Sequence, residues 1–194
     1  MRPVADANPE YIGALRELLS RIERTLTESP KRLLPVRMTI AGGAALHCHI
    51  GSRVSRDVDA NFSRRLALGD DVDVAYRDAD GVAQYLFIDR SYNNTLGLLH
   101  EDAEDDAVPL TLPGIDAKVL DVRLLTPLDL AVSKLARFAD IDRQDIEALA
   151  KHQLITARSL RKRAEESLHN YVGDLTRVRG AIDTACRLIE RYAR

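Results

Sequence analysis

Two aspartates separated by one residue, Asp57 and Asp59, follow a run of apolar and small residues in the stretch IAGGAALHCHIGSRVSRDVDANF. On an extended strand that spacing turns both carboxylates to one face. Like charges at such range repel, and the arrangement is tolerated when a cation lies between them. Oxygen-only donors suit Mg²⁺ or Mn²⁺, which leave coordination positions for water and phosphate oxygens. Upstream, Gly42-Gly43 lies between an alternating segment, Val36 to Ile40, and the residues Ala44 to Ile50. Backbone amides at a helix N-terminus, with no Cβ in the way, can approach phosphate oxygens closely. The chemistry these residues could support is metal-assisted work on a phosphorylated compound.

The elements around them must place the glycines and the aspartates side by side. Asn8-Pro9 predicts a helix start, and Leu15, Leu18, Leu19, Ile22 and Leu26 carry its apolar face to about Glu28. Val36 to Ile40 alternates as a half-buried strand. Ala44 to Ile50 reads as a short helix closed by Gly51, and Val54 to Ala60 as a second strand. Further extended runs are expected at Val72 to Tyr76, Ala83 to Ile88, Thr95 to Leu99 and Ala117 to Leu124, with turn residues such as Asp80-Gly81 and Pro113-Gly114 between them. From Thr126 the period becomes helical. Thr126-Pro127 caps a helix to about Ala139, Asp142 a second and Thr156 a third, and Leu175 to Tyr192 marks a last amphipathic helix. The expected fold class is α+β, a mixed sheet of about five or six strands flanked by helices. Residues 1–125 form an N-terminal helix plus sheet core, and residues 126–194 a helical C-terminal region.

An apolar strand end, Gly-Gly, a short interval and Asp-apolar-Asp is the signature of the DNA polymerase β-like nucleotidyltransferase superfamily, which this sequence resembles through Ala41-Gly42-Gly43, thirteen intervening residues and Asp57-Val58-Asp59. Arg53-x-Ser55-x-Asp57 and Ala44-Ala45-Leu46 are similar to the branch of AbiEii-type abortive-infection toxins. So is TPLDLAVSKLARFADIDRQDIEAL, where that branch carries a lysine and an acidic pair. The resemblance implies a nucleotidyltransferase-type sheet and transfer of a nucleotidyl group from a nucleoside triphosphate to a hydroxyl of RNA or protein. Asp57 and Asp59 would hold the metal, Gly42, Gly43 and Ser55 would bind the nucleotide, and Lys134 and Asp145 would join them. It further implies a toxin of a toxin–antitoxin or abortive-infection system with an antitoxin partner. The superfamily's third carboxylate is favoured at Asp102, with Asp89, Asp116 and Asp121 as alternatives. A non-catalytic module of the same fold and a small-molecule, antibiotic-type nucleotidyltransferase are the other readings. Asp142 and Asp145 also have the spacing of a helix cap and its partner.

Other constellations carry less. Consecutive residues diverge by about 100° on a helix, so His47-Cys48-His49 cannot converge on one ion. No GxxxxGK[ST] and no Gly-x-Ser-x-Gly is present. The two cysteines, Cys48 and Cys186, are far apart and read as reduced core thiols of a cytoplasmic protein. The N-terminal region has no signal-peptide pattern, and no apolar run reaches the roughly 18 residues of a membrane helix. Net charge is −2, but from Arg158 onward nine Lys/Arg against five Asp/Glu leave +4, and hence −6 before it. That basic tail could face RNA, or form an ordinary solvated helix face.

Overall fold

The structure is a computed structural model that describes residues 1–27, 30–92 and 97–192. The chain divides into two compact units, one of residues 1–92 with 108–124, the other of residues 93–107 with 125–194.

In the first unit, helix α1 (Pro9–Thr27) starts where Asn8 Oδ1 accepts the Tyr11 N–H at 2.8 Å, and Glu28 lies outside the described residues. Its fully buried side chains, Tyr11, Leu15, Leu18, Leu19 and Ile22, recur at helical spacing. Strand β1 (Val36–Ile40) leads into helix α2 (Gly42–Ile50), and Gly51 closes that helix in the left-handed region at φ 63°. The chain then forms β2 (Asp57–Val58), β3 (Ala60–Phe62), β4 (Val74–Arg77), β5 (Ala83–Ile88), β6 (Val108–Pro109) and β7 (Leu120–Leu124).

These strands make two short sheets, in the orders β3-β1-β7-β6 and β2-β5-β4. β1 runs parallel to β7 and antiparallel to β3, while β2 runs parallel to β5 and β5 antiparallel to β4. The strand expected over Val54 to Ala60 is therefore shorter, shifted and divided. Residues before Asp57 are not in a strand, and at Asp59 the chain leaves one sheet and enters the other. The Asp59 carbonyl still accepts the Ala41 N–H at 2.8 Å, so the break preserves hydrogen bonding on both sides. Val72 falls in a 3-10 turn ahead of β4, and Ala117 to Val119 form a turn ahead of β7. Of the expected run Thr95 to Leu99, residues 95 and 96 lie outside the described residues and 97–99 are not in a strand.

The second unit is helical: α3 (Pro127–Ser133), α4 (Asp140–Lys151), α5 (Ala157–Ser167) and α6 (Leu175–Glu190). Thr126 caps α3 by accepting the Asp129 N–H at 3.0 Å and donating its hydroxyl to Asp129 Oδ2 at 2.7 Å. Asp129 is 1% exposed, and Arg163 of α5 holds it through Nε at 2.8 Å and Nη2 at 3.1 Å. α3 stops at Ser133, well before Ala139. Phe138 sits at φ 50°, a conformation that no helix continues through, and the chain turns there into α4. Asp142 is the third residue of α4 rather than its cap. Its carboxylate reaches back to the Ala139 N–H at 2.9 Å and takes both arms of Arg137 at 2.8 and 2.7 Å.

Burial is the largest influence on Asp142 and pushes its pKa up, but Arg137, the Ala139 N–H and Lys134 outweigh it and hold the carboxyl below its usual value. A depressed folded-state pKa contributes stability that is present above the unfolded value of about 3.9 and is lost as pH falls through the folded value. Asp142→Asn is therefore expected to unfold at lower urea than the native chain at pH 7, and the two midpoints are expected to converge below about pH 3.

Candidate functional site

The site begins where β1 ends. Gly42 opens α2 at φ 56°, in the region that L side chains rarely enter, and a Cβ built there would lie 1.8 Å from Asp59 Oδ2. The helix start is thus brought against the Asp59 carboxylate in a way only glycine permits. Gly43 is similarly tight, since its Cβ would lie 2.8 Å from the Ser55 Cβ. Ser55 in turn donates its hydroxyl to Asp57 Oδ1. Gly42, Gly43, Ser55, Asp57 and Asp59 therefore form one neighbourhood.

Asp57 and Asp59 are both half-buried and the intervening Val58 is fully buried, the alternation of one strand face. In the parallel pairing, Asp57 stands opposite Phe87 and Val58 opposite Ile88, and the Asp89 N–H donates to the Val58 carbonyl at 3.1 Å. One step further along this register lies Asp89, half-buried, beside Asp59. Oxygens of Asp57, Asp59 and Asp89 all lie within 4.8 Å of one another. The Asp89 carboxylate accepts the Ser91 hydroxyl at 2.6 Å and the Ser91 N–H at 2.8 Å. The hydroxyl contact is the largest of the influences holding its pKa below the usual carboxylate range. Three oxygen donors at this range fit a hard divalent cation.

Among the four acids weighed for the third position, Asp89 joins the pair. Asp102, the favoured one, belongs to the other unit, on a turn with its side chain 63% exposed and its N–H donated to His100 Nδ1 at 3.2 Å. Asp116 accepts the Lys118 N–H at 2.9 Å, and Asp121 accepts from Arg123 Nε, also at 2.9 Å.

Lys134 and Asp145 are also in the second unit. Lys134 is 7% exposed, and its ammonium lies 2.6 Å from Asp145 Oδ2 and 3.9 Å from Asp142 Oδ1. This buried ion pair is a structural reason for both residues.

Composition and spacing draw no attention to Tyr11, yet its ring is fully buried and packs edge-on against His47 at 4.9 Å. Burial above all, with Cys48, Tyr76, Asp57 and Asp59 adding to it, drives its phenol pKa far up and keeps it protonated. His47 uses both ring nitrogens on the backbone, Nε2 accepting the Asn8 N–H at 2.9 Å and Nδ1 donating to the Ser52 carbonyl. Burial lowers its pKa, so it is a neutral core imidazole. Both cysteines are free and buried. No helix among the described residues is long and apolar enough to cross a membrane.

Residues 14–181 match the model of the DUF6036 family, described as a nucleotidyltransferase of unknown function. The chain belongs to this family. The DUF6036 match takes in every residue of the carboxylate cluster, the glycine pair, and Lys134 with its two acidic partners. It supports the nucleotidyltransferase superfamily without singling out one branch of it. No curated protein matches the chain.

Gly42→Ala is expected to lower stability by at least about 1–2 kcal/mol from the left-handed backbone alone, with a further loss from displacing Asp59, read as a lower urea midpoint. Lys134→Ala leaves Asp145 and Asp142 without their buried ammonium and is expected to cost about 3–5 kcal/mol. A Lys134→Met/Asp145→Leu double variant is expected to recover most of that loss.

Proposed function

We propose that the protein transfers a nucleotidyl group from a nucleoside triphosphate to an acceptor hydroxyl, with Mg²⁺ or Mn²⁺ held by Asp57, Asp59 and Asp89. The observation that carries this reading is the convergence of three carboxylates within 4.8 Å, next to a helix start that approaches Asp59 closely only because residue 42 is glycine. Family membership at the level of a nucleotidyltransferase supports it.

The donor set is all oxygen and anionic, as a hard divalent ion requires. When bound, that ion would neutralise triphosphate charge and make the acceptor hydroxyl easier to deprotonate. The chain's own residues do the rest. The amides of Gly42 and Gly43 receive phosphate oxygens at the positive end of α2. Ser55 fixes the rotamer of Asp57 through its hydroxyl. Asp89, kept ionised by Ser91, takes the proton of the acceptor hydroxyl. The acceptor oxygen then bonds to the α-phosphorus, the bond from that phosphorus to the β-phosphate bridge breaks, and pyrophosphate leaves. Little covalent help is needed, since positioning and charge neutralisation dominate such transfers.

Asp89 takes the place in this reading that sequence alone favoured for Asp102, because strand pairing sets it beside Asp59. Lys134 and Asp145 are not required, because their mutual pairing already accounts for them. Assignment to the AbiEii-type branch, with RNA or protein as acceptor and an antitoxin as partner, rests on the Arg53-x-Ser55-x-Asp57 resemblance.

The test is calorimetric titration of each nucleoside triphosphate with Mg²⁺, followed by pyrophosphate release with cellular RNA and protein as acceptors. Asp57→Asn/Asp59→Asn is expected to stay folded and to lose at least about a hundredfold in turnover. Turnover in the double variant equal to that of the native chain would sink the proposal.

A further inference from the structure

The outward face of the β2-β5-β4 sheet carries more than acids. Along β5, burial alternates strictly: Leu86 and Ile88 are buried, while Tyr85 is 63% and Phe87 38% exposed. Strand alternation therefore sets Tyr85, Phe87 and Asp89 in one row on one face, about 6–7 Å apart per step. The register places Phe87 directly beside Asp57 and Tyr85 beside Ala75 of β4. Two exposed aromatic rings thus form a strip that runs straight into the carboxylate cluster. α2 approaches the cluster from the β2 side, at Asp59 and Ser55, so the ring strip on β5 lies on the flank away from the glycine pair.

Past Asp89 the same edge opens into a cavity of about 340 Å³. Asp89 is on its wall, with Arg64, Arg65, Arg90, Asn61 and Tyr92. Arg90 is tied to Asp70 and to the Gly69 carbonyl, and together with Arg64 and Arg65 it gives the cavity a cationic wall. The row thus runs from two rings, past the carboxylates, to a wall of arginines.

We propose that Tyr85 and Phe87 stack the bases of a single-stranded nucleic acid acceptor whose backbone phosphate enters the arginine-lined cavity. The inference rests on the nucleotidyl-transfer reading above and names the acceptor for it. Aromatic faces stack any base and so tolerate sequence, and a nearby cationic groove follows the backbone. A protein partner fits this face poorly. Two rings bury at most about 300–500 Å², against roughly 800 Å² per partner in a stable interface.

The test uses the full chain and fluorescein-labelled twelve-residue single-stranded RNA and DNA of one sequence, followed by anisotropy without nucleoside triphosphate. Tyr85→Ala/Phe87→Ala is expected to weaken binding at least about tenfold, in line with roughly 1–3 kcal/mol per stacked base. Tyr85→Phe/Phe87→Tyr keeps both rings and is expected to bind within about threefold of the native chain. Arg65→Ala is expected to reduce the slope of log affinity against log salt by about one. Should the double alanine variant lose its fold, Tyr85→Ala alone, at the more exposed ring, carries the same expectation at a reduced factor. Failure of the native chain to bind either oligonucleotide overturns the inference, and so does unchanged binding by the ring variants. It is equally overturned if the ring variants lose affinity for Mg²⁺ with nucleoside triphosphate while keeping the oligonucleotide. Titration with Mg²⁺ and nucleoside triphosphate separates the two proposals. Intact nucleotide binding without oligonucleotide binding rejects only the stacking site. Oligonucleotide binding through the rings without any nucleotide binding rejects the transfer reading.

Discussion

Asp57, Asp59 and Asp89 hold like charges within 4.8 Å on a half-buried sheet face, and much of the first unit is arranged around that repulsion. Each carboxylate is fixed by something other than its neighbours: Asp57 by the Ser55 hydroxyl, Asp89 by two donors of Ser91, and Asp59 by its place against the start of α2. Hydrogen bonds to the charged form offset part of the Coulombic cost. The remaining cost is met by backbone pairing, because β2 and β5 bring the three together through main-chain hydrogen bonds that do not depend on side-chain charge.

The break at Asp59 follows from the same requirement. A continuous strand through residues 57–62 would keep all of them in one ladder. Here residues 57–58 pair with β5 and residues 60–62 with β1, so Asp59 lies where two sheets hand over the chain. Its carbonyl holds the residue before Gly42, while its side chain lies against Gly42 itself. One residue thereby couples the helix start, both sheets and the acidic cluster.

The glycine pair, the Asp-x-Asp, β5 and the caps at Asn8 and Thr156 could be read from sequence because each is a local signal: a residue type whose own backbone or side chain determines the turn or cap. Three features could not be read that way. Asp89, Asp102, Asp116 and Asp121 look alike as acids near expected strands, and only the parallel register distinguishes Asp89. The residues from Lys134 to Ala139 include good helix formers, so nothing local announces that α3 ends at Ser133. Across the turn that follows, Lys134, Asp142 and Asp145 form a buried charge network. The carboxylates that occupy the Lys134 ammonium come from α4, eight and eleven residues further on, and no local pattern announces them. The exposure of Tyr85 and Phe87 has no local signal either, because an alternating run does not say which of its faces stays uncovered.

The handover at Asp59 also sets a thermodynamic bargain. Three like charges stand beside the joint between the two sheets. Any cation that binds there is linked to folding by mass action, and the strength of the joint between the two sheets becomes a function of ion concentration. The protein's resistance to unfolding would then report on its ionic surroundings as directly as any assay of its chemistry.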